Sequence, residues 1–314
     1  MSAARLHRVP ANRIISPMSD GTPDTAPFPF ARADYPLAPA TRYNIGGPAR
    51  VALLPETEED AAAAHAWMLR QPGPHLVLGG GSNVLVADAG FPGIVLLTTR
   101  LACLEDLGDD RWRAGAGLAL STLVRDVLLA RNYAGVGALT GIPGSVGGAI
   151  FMNAGTVNGS ACQFLETADL LGAGGRRTVV LTPDLYDYRS QRFCGPDDVI
   201  LGGVFRFSPA AEDQRPVFEH YMERRREKQP RGFCCGSVFK NPPGDHAGRL
   251  IEACGLKGER RGGAVISPLH ANFIMNEDGA TFADVMALIR LVKERVRERF
   301  GVTLEEEVRV VAPE

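Results

Sequence analysis

Hydrophobic and polar positions along this chain first fall into short apolar runs and only later settle into helical spacing. "VALLP", "HLVLGG", "GIVLLTT", "RWRAGAG", "RTVVLTP" and "DVILGGVFRFSP" are bounded by glycine or proline and predict strands. Two helical patterns interrupt them. "TEED" sets an acid three residues after the capping hydroxyl of Thr57, and Ser121 to Arg131 keeps Leu123, Val124, Val127 and Leu128 on one side. After "FSPAAEDQRP" the helical patterns lengthen. "DHAGRLIEACGLKG" predicts a helix with Asp245 as N-cap and Gly255 as stop. Thr281 to Phe300 carries Phe282, Val285, Ile289, Val292, Val296 and Phe300 at helical spacing, and Gly301 ends it. Residues 1–36 are rich in Pro, Ala and Ser without periodicity and predict a flexible N-terminal extension. The plan is α+β: a domain over 37–208 in two subdomains, about 37–100 and 101–208, then a smaller α+β domain over 209–314.

Composition narrows the function classes. A formal charge of −2 gives no global reason to expect nucleic acid, although "RRREK" at Arg224 to Lys228 is a local basic run that fits a solvated helix face or a polyphosphate contact. Neither a membrane-length apolar run nor a secretory leader is legible, so the expectation is a cytoplasmic protein without membrane insertion. The 6 cysteines form no CxxC pair or zinc spacing, and the adjacent Cys234 and Cys235 fit a reducing compartment. No metal is expected.

Candidate chemistry lies in two glycine clusters about sixty residues apart. The first, "GGGSNVL", follows a strand: main-chain N–H groups of Gly79, Gly80, Gly81, Ser82 and Asn83 suit a pyrophosphate, with Val84 and Leu85 beginning the next strand. It lacks the third glycine and the helix of a Rossmann fingerprint, and GxxxxGK[ST] is absent. The second, "GIPGSVGGAIFMNAG", brings Gly141, Ile142, Pro143 and Gly144, then Ser145, Gly147, Gly148 and Ala149, with Asn153 after them. Either cluster alone also fits a plain tight turn. The pair suits one extended ligand between two subdomains, and a dinucleotide is that kind of ligand.

"NIGGPA", "GGGSNVL", "GIPGSVGGAIFMNAG", "YR", "KQP", "GSVFKNPPG", "GLKGERRGGAVISPLHANFIMN" and "LEEEV" stand in the order found in UDP-N-acetylenolpyruvoylglucosamine reductases. The chain resembles that family from about Leu37 to Val311, and its length between "FRFSP" and "KQP" resembles the short second type, without the extra substrate-domain loop. The resemblance implies a vanillyl-alcohol-oxidase-like (PCMH-type) two-part FAD-binding domain followed by the substrate-binding domain. It also implies NADPH-dependent reduction of UDP-N-acetylglucosamine enolpyruvate to UDP-N-acetylmuramate in peptidoglycan precursor synthesis. In that scheme reduced flavin N5 delivers hydride to the enolpyruvyl group, and NADPH and the UDP-sugar use one cavity in turn. The cofactors are then FAD and NADPH, the partner is a small-molecule UDP-sugar enolpyruvyl ether, and the chain is a monomer or weak dimer.

By the same resemblance Ser237 is the proton donor, Arg189 the catalytic arginine and one acid of "LEEEV" the catalytic glutamate; aligning its leucine and valine chooses among Glu305, Glu306 and Glu307 and favours Glu307, while period-2 alternation sets Glu305 on the same strand face. Tyr188, Lys228, Asn241, Lys257 and His270 match substrate-holding positions, and the glycine residues above, with Ser82, Asn83, Val84, Leu85 and Asn153, match the flavin site. Asn44, Val157, Ser160, Gln191 and Ala312 depart from the usual pattern. Two other readings accompany the first: a paralogous flavin reductase of another enol ether or enoyl nucleotide, and a flavin-binding protein without turnover. A retained Ser237, Arg189 and Glu307 argues against the last.

Overall fold

The computed structural model describes residues 26–312. The first part contains β1 (Ala31–Pro36), β2 (Pro48–Leu53), helix α1 (Glu58–Met68), β3 (His75–Leu78), β4 (Val84–Val86) and β5 (Phe91–Leu97). Four of the strands form a sheet in the order β1-β2-β5-β3; β1 is antiparallel to β2, and the remaining pairings are parallel. β5, "FPGIVLL", is buried on both faces, as a central parallel strand must be. Helix α1 covers one face and starts where Thr57 accepts a hydrogen bond from Asp60 N at 3.0 Å, a cap that contributes about 1 kcal/mol.

The strand β1 corrects the expected N-terminal extension. The flexible segment was expected to reach residue 36, and its first 25 residues lie outside the described ones. Ala31–Pro36 is instead an ordered edge strand; just before it Phe28 stacks on Phe30 at 5.0 Å and meets Trp67 of α1 edge-on at 5.9 Å. "ARADYP" is mostly exposed and buries little apolar surface of its own, so its order comes from pairing with β2.

The second part is a five-stranded antiparallel sheet with accessory helices. It runs through β6 (Leu104–Gly108), β7 (Arg111–Gly115), α2 (Leu120–Thr122), which continues as a π-helix over Leu123–Leu129, α3 (Val136–Leu139), α4 (Val146–Phe151), the small hairpin β8 (Gly155–Thr156) and β9 (Gly159–Ser160), β10 (Leu165–Gly172), β11 (Gly175–Val180), a second hairpin β12 (Tyr186–Asp187) and β13 (Ser190–Gln191), and β14 (Val199–Arg206). Sheet order is β11-β10-β14-β7-β6. Leu123, Val124, Val127 and Leu128 fill its core, as their spacing predicts.

The third part holds α5 (Arg215–Lys228), α6 (Ala247–Ala253), a small sheet of β15 (Arg260–Arg261), β16 (Ala264–Ile266) and β17 (Ile274–Asn276), α7 (Phe282–Phe300) and β18 (Arg309–Val311). α7 begins in a reciprocal cap, with Thr281 Oγ1 accepting from Asp284 N and Asp284 accepting from Thr281 N, and ends at Gly301 with φ 68°. The expected boundary at 208/209 does not separate the cores, because Val217 and Phe218 of α5 pack on the core of the second part. The third core also reaches back to Tyr43, Ile45 and Leu85. Asp245 is not the cap of α6: its carboxylate is taken by His246 N and Arg249, and Asn241 Oδ1 accepts from Ala247 N at 3.0 Å. Most important for the site, β18 leaves the third part and pairs in parallel with β4.

Candidate active site

The three parts face one cleft of about 2920 Å³. Its first wall comes from the two glycine clusters, which touch each other. A Cβ on Gly80 would lie 3.2 Å from Gly144 Cα, one on Gly144 would lie 2.4 Å from Ser82 Oγ, and Gly80 N donates to Ser145 Oγ at 3.3 Å. Gly81 has φ 58°, and a Cβ there would lie 2.0 Å from Ala40 O. Only glycine fits that position. The main-chain N–H groups of Gly81, Ser82 and Asn83 find no acceptor among the described residues, so this wall is a row of donors that suits the pyrophosphate of a dinucleotide.

Gly79 through Val84, Gly141 through Ser145, and Gly147 through Ala149 all line the cleft. Two residues expected with them do not. Leu85 is fully buried in the third core, because a strand alternates its faces and Val84 takes the cleft side. Asn153 is 3% exposed and points inward, with Nδ2 donating to Asp187 O at 2.9 Å and Oδ1 accepting from Cys162 N at 3.0 Å. It braces the β12–β13 hairpin from behind.

That hairpin carries Tyr188 and Arg189 at its turn. Arg189 adopts φ 53°, a left-handed conformation that costs a non-glycine residue about 1–2 kcal/mol. Its guanidinium reaches across the cleft: Nε donates to Glu307 Oε1 at 2.8 Å and Nη2 to Gly155 O at 2.8 Å. Tyr188 lines the cleft with its ring 5.1 Å from the same guanidinium. Burial pushes the Glu307 carboxyl above its ordinary range, while Arg189 and then Lys240 pull it back. The neighbouring acids are taken elsewhere, Glu305 by Lys240 and Glu306 by Lys293 at 2.8 Å. Glu307 is thus the acid of "LEEEV" that meets Arg189.

Backbone contacts hold Glu307 at the first wall. Asn83 Nδ2 donates to Glu307 O at 2.9 Å, and Arg309 N donates to Asn83 O at 3.0 Å. Ser237 stands beside them, half-buried on the cleft surface, and Glu307 N donates to the carbonyl of the next residue, Val238, at 2.8 Å. Asn272, 3% exposed, substitutes for a neighbouring strand: Oδ1 accepts from Phe239 N at 3.0 Å and Nδ2 donates to Phe239 O at 2.8 Å.

Lys228, Asn241 and His270 also line the cleft. The Asn241 carbonyl is committed to α6, which leaves its amide N–H groups as the outward donors. His270 packs edge-on to Phe273 at 4.7 Å and accepts from Asn272 N through Nδ1 at 3.2 Å, so its neutral form carries the proton on Nε2. Burial, then the charge of Lys257, lowers its pKa. Lys257 itself does not line the cleft. Its ammonium pairs with Glu252 of α6 at 2.7 Å.

Several lining residues escaped the sequence reading. Arg225 lies against the Gly141 loop, where a Cβ on Gly141 would lie 2.4 Å from Arg225 Cδ, and it donates to Gln229 Oε1 at 2.8 Å. It stands three residues before Lys228 on the same helical face, a spacing the "RRREK" run already contained. Arg309 stacks on Phe151 at 4.8 Å; it opens to the cleft yet is enclosed by its walls, which lower its pKa. The period-2 argument that joined Glu305 to Glu307 extends to it. Among the described residues no group of three His, Cys, Asp or Glu side chains is placed to hold a metal ion, and no helix is long and apolar enough to cross a membrane.

Comparison with known proteins gives a consistent neighbourhood. Residues 229–311 match the family model of the UDP-N-acetylenolpyruvoylglucosamine reductase C-terminal domain, and residues 49–180 match that of an FAD binding domain. The chain is similar to the UDP-N-acetylenolpyruvoylglucosamine reductase of Geotalea uraniireducens, with 40% identity over 89% of this chain and 93% of the relative. It is similar to that of Rubrobacter xylanophilus as well, with 41% identity over 94% and 99%. Among solved structures it resembles UDP-N-acetylenolpyruvylglucosamine reductase from Thermus caldophilus, with TM-score 0.75 and 34% identity over 90% of this chain and 98% of that one.

Proposed function

The chain belongs to the UDP-N-acetylenolpyruvoylglucosamine reductase family of FAD-dependent oxidoreductases, and on that premise we propose that it reduces UDP-N-acetylglucosamine enolpyruvate to UDP-N-acetylmuramate with electrons from NADPH. Gly79–Val84, Gly141–Ser145 and Gly147–Ala149 would hold FAD, which when bound would supply hydride chemistry for the enolpyruvyl group. What remains for the chain is to hold the substrate carboxylate, stabilise the enolate that develops on it, and add a proton at the adjacent carbon.

The observation that carries this reading is the Arg189–Glu307 pair, drawn from positions 118 apart to 2.8 Å over the glycine wall. Arg189 spends Nε and one N–H of Nη2 on protein acceptors, and its Nη1 makes no hydrogen bond among the described residues. Those N–H groups are the donors for the substrate carboxylate. A guanidinium fixed before the reaction stabilises charge that appears only in the transition state, an effect typically worth 10²–10³ in rate. Glu307 keeps the fork oriented, so that Arg189 need not reorganise. Ser237 gives its hydroxyl proton to the enolate carbon; serine is a weak acid in water, but an enolate in a water-poor cleft is a strong enough base to take the proton. Lys228, Asn241 and His270 bind the diphosphate and sugar, and Tyr188 closes the hairpin side. Lys257 acts on His270 only through its charge.

One cleft serves NADPH and the UDP-sugar in turn, so the kinetics are ping-pong. The test is an anaerobic titration. Purified protein is mixed with NADPH while the oxidised-flavin absorbance is followed, and UDP-N-acetylglucosamine enolpyruvate is then added. Bleaching followed by rapid return is the expected result. Bleaching without return would move the substrate assignment to another enol ether, and protein that takes up no flavin would overturn the reading.

A further inference from the structure

The segment that carries Ser237 is tied down on both sides. After the serine, Val238 N donates to Asn272 O at 2.9 Å and Val238 O accepts from Glu307 N at 2.8 Å. Before it, Cys235 Sγ donates to Val84 O at 3.2 Å, and Val84 follows the glycine loop directly. Asn83 Nδ2 bonded to Glu307 O closes a ring that runs through Asn83, Glu307, Val238, Ser237, Cys235 and Val84. Gly236, between the cysteine and the serine, has φ 73° and would meet nothing within 4 Å if it carried a Cβ. It offers no restraint of its own, so without the thiol the nearest tie before the serine is four residues away, where Asn276 N donates to Phe233 O at 2.9 Å.

Building on the function proposed above, we propose that Cys235 is a positioning residue for Ser237: its thiol tethers the serine to the cofactor wall and so sets the reach of the hydroxyl toward substrate bound over that wall. Cys235 is 4% exposed, and burial raises its pKa, so the sulfur keeps the proton that it donates. Cys234 is as deeply buried at 6%, and among the described residues its thiol makes no hydrogen bond. It is a matched control for the loss of a buried sulfur.

The test compares flavin-loaded wild type with Cys235→Ala, Cys235→Ser and Cys234→Ala under anaerobic single turnover. Flavin reduction by NADPH and reoxidation by UDP-N-acetylglucosamine enolpyruvate are timed separately, each in H₂O and D₂O. An S–H···O bond is weak, so Cys235→Ala is expected to slow reoxidation about 3- to 10-fold with reduction within about 2-fold of wild type. Its solvent isotope effect on reoxidation should rise, Cys235→Ser should recover most of the rate because a hydroxyl donates to the same carbonyl, and Cys234→Ala should leave the ratio of the two rates unchanged. Equal losses in both half-reactions, or a Cys234→Ala effect of the same size, would overturn the tether. If Cys235→Ala matches wild type throughout, the inference fails alone; if wild type itself is not reoxidised, the proposed reaction fails and takes the inference with it.

Discussion

The two walls of the cleft are built in different ways. The glycine wall is made of backbone: Gly80, Gly81 and Gly144 are defined by where a Cβ cannot go, and their partners lie in loops that the strands hold rigidly. The second is made of charged side chains brought from distant segments, with Arg189 on a strained hairpin turn and Glu307 two residues before β18, the strand that returns from the third part to β4. A backbone wall recognises a ligand by shape and N–H direction, and it tolerates substitution poorly. A side-chain wall places charge, and each member can be exchanged with a graded effect. The cofactor face should therefore fail all at once, while the substrate face should fail by degrees and in only one half-reaction.

The largest effect is expected from Gly81→Ala. With φ 58° and Ala40 O at 2.0 Å from the added carbon, the loop has to move. The cost is about 2 kcal/mol or more, and the expected product is flavin-free protein with Tm lower by about 5 °C. Absorbance of the purified protein and a thermal melt check both. Retention of flavin at wild-type stoichiometry would break the contrast between the walls.

Next in size is Arg189→Met. It removes the carboxylate donors and leaves Glu307 buried without its cation, so reoxidation by substrate should fall about 10³-fold while reduction by NADPH stays within a few-fold. Stopped-flow absorbance separates the two. Parallel loss of both half-reactions would mean that the hairpin supports the fold rather than the chemistry.

Acid–base behaviour sharpens the comparison further. Burial raises the Glu307 pKa and Arg189 opposes it, so the acid limb of the reoxidation profile should lie above the ordinary carboxylate range. Glu307→Gln should abolish that limb, and Arg189→Met should move it to still higher pH. The stability effect follows in sign. The folded state binds this proton more tightly than the unfolded chain, so the ionisation cost of Glu307 grows as pH rises through its folded pKa. Glu307→Gln should gain stability relative to wild type at alkaline pH and show little such gain in acid, as measured by denaturant titration.

The smallest effect belongs to Lys257→Ala. Its partner is Glu252 and its ammonium lies off the cleft, so KM for the UDP-sugar should change by about 3-fold or less. Lys228→Ala should weaken binding more. A larger effect for Lys257 would require the α6 side of the cleft to rearrange around substrate.

Much of the backbone wall was legible, because its constraint is local: glycines close in sequence serve one loop each, and strands before and after them set their place. The capped helices at Thr57 and Thr281 were legible for the same reason. Arg189 and Glu307 came from family resemblance, since no pattern within the chain joins residues 118 apart. Motif strings also carry residues with other duties. Asn153, Leu85 and Lys257 share runs with cleft residues, yet one braces a hairpin, one packs a core and one pairs with a helix. Which face a polar residue presents is settled by packing between parts, and so is the order of β1, which depends on its neighbour rather than on its own six residues. Cys235 was noticed only as half of an adjacent pair; its link to Val84 spans 151 positions.

The most direct measurement of the account is a single-turnover comparison of wild type with Ser237→Ala, in which NADPH reduces the flavin first and UDP-N-acetylglucosamine enolpyruvate then reoxidises it. Ser237 lies on the cleft surface without supporting the glycine wall, so the variant should keep its flavin and its reduction rate, and reoxidation should slow by about 10³-fold or more. Reoxidation of Ser237→Ala at the wild-type rate would contradict it, because the proton would then come from elsewhere.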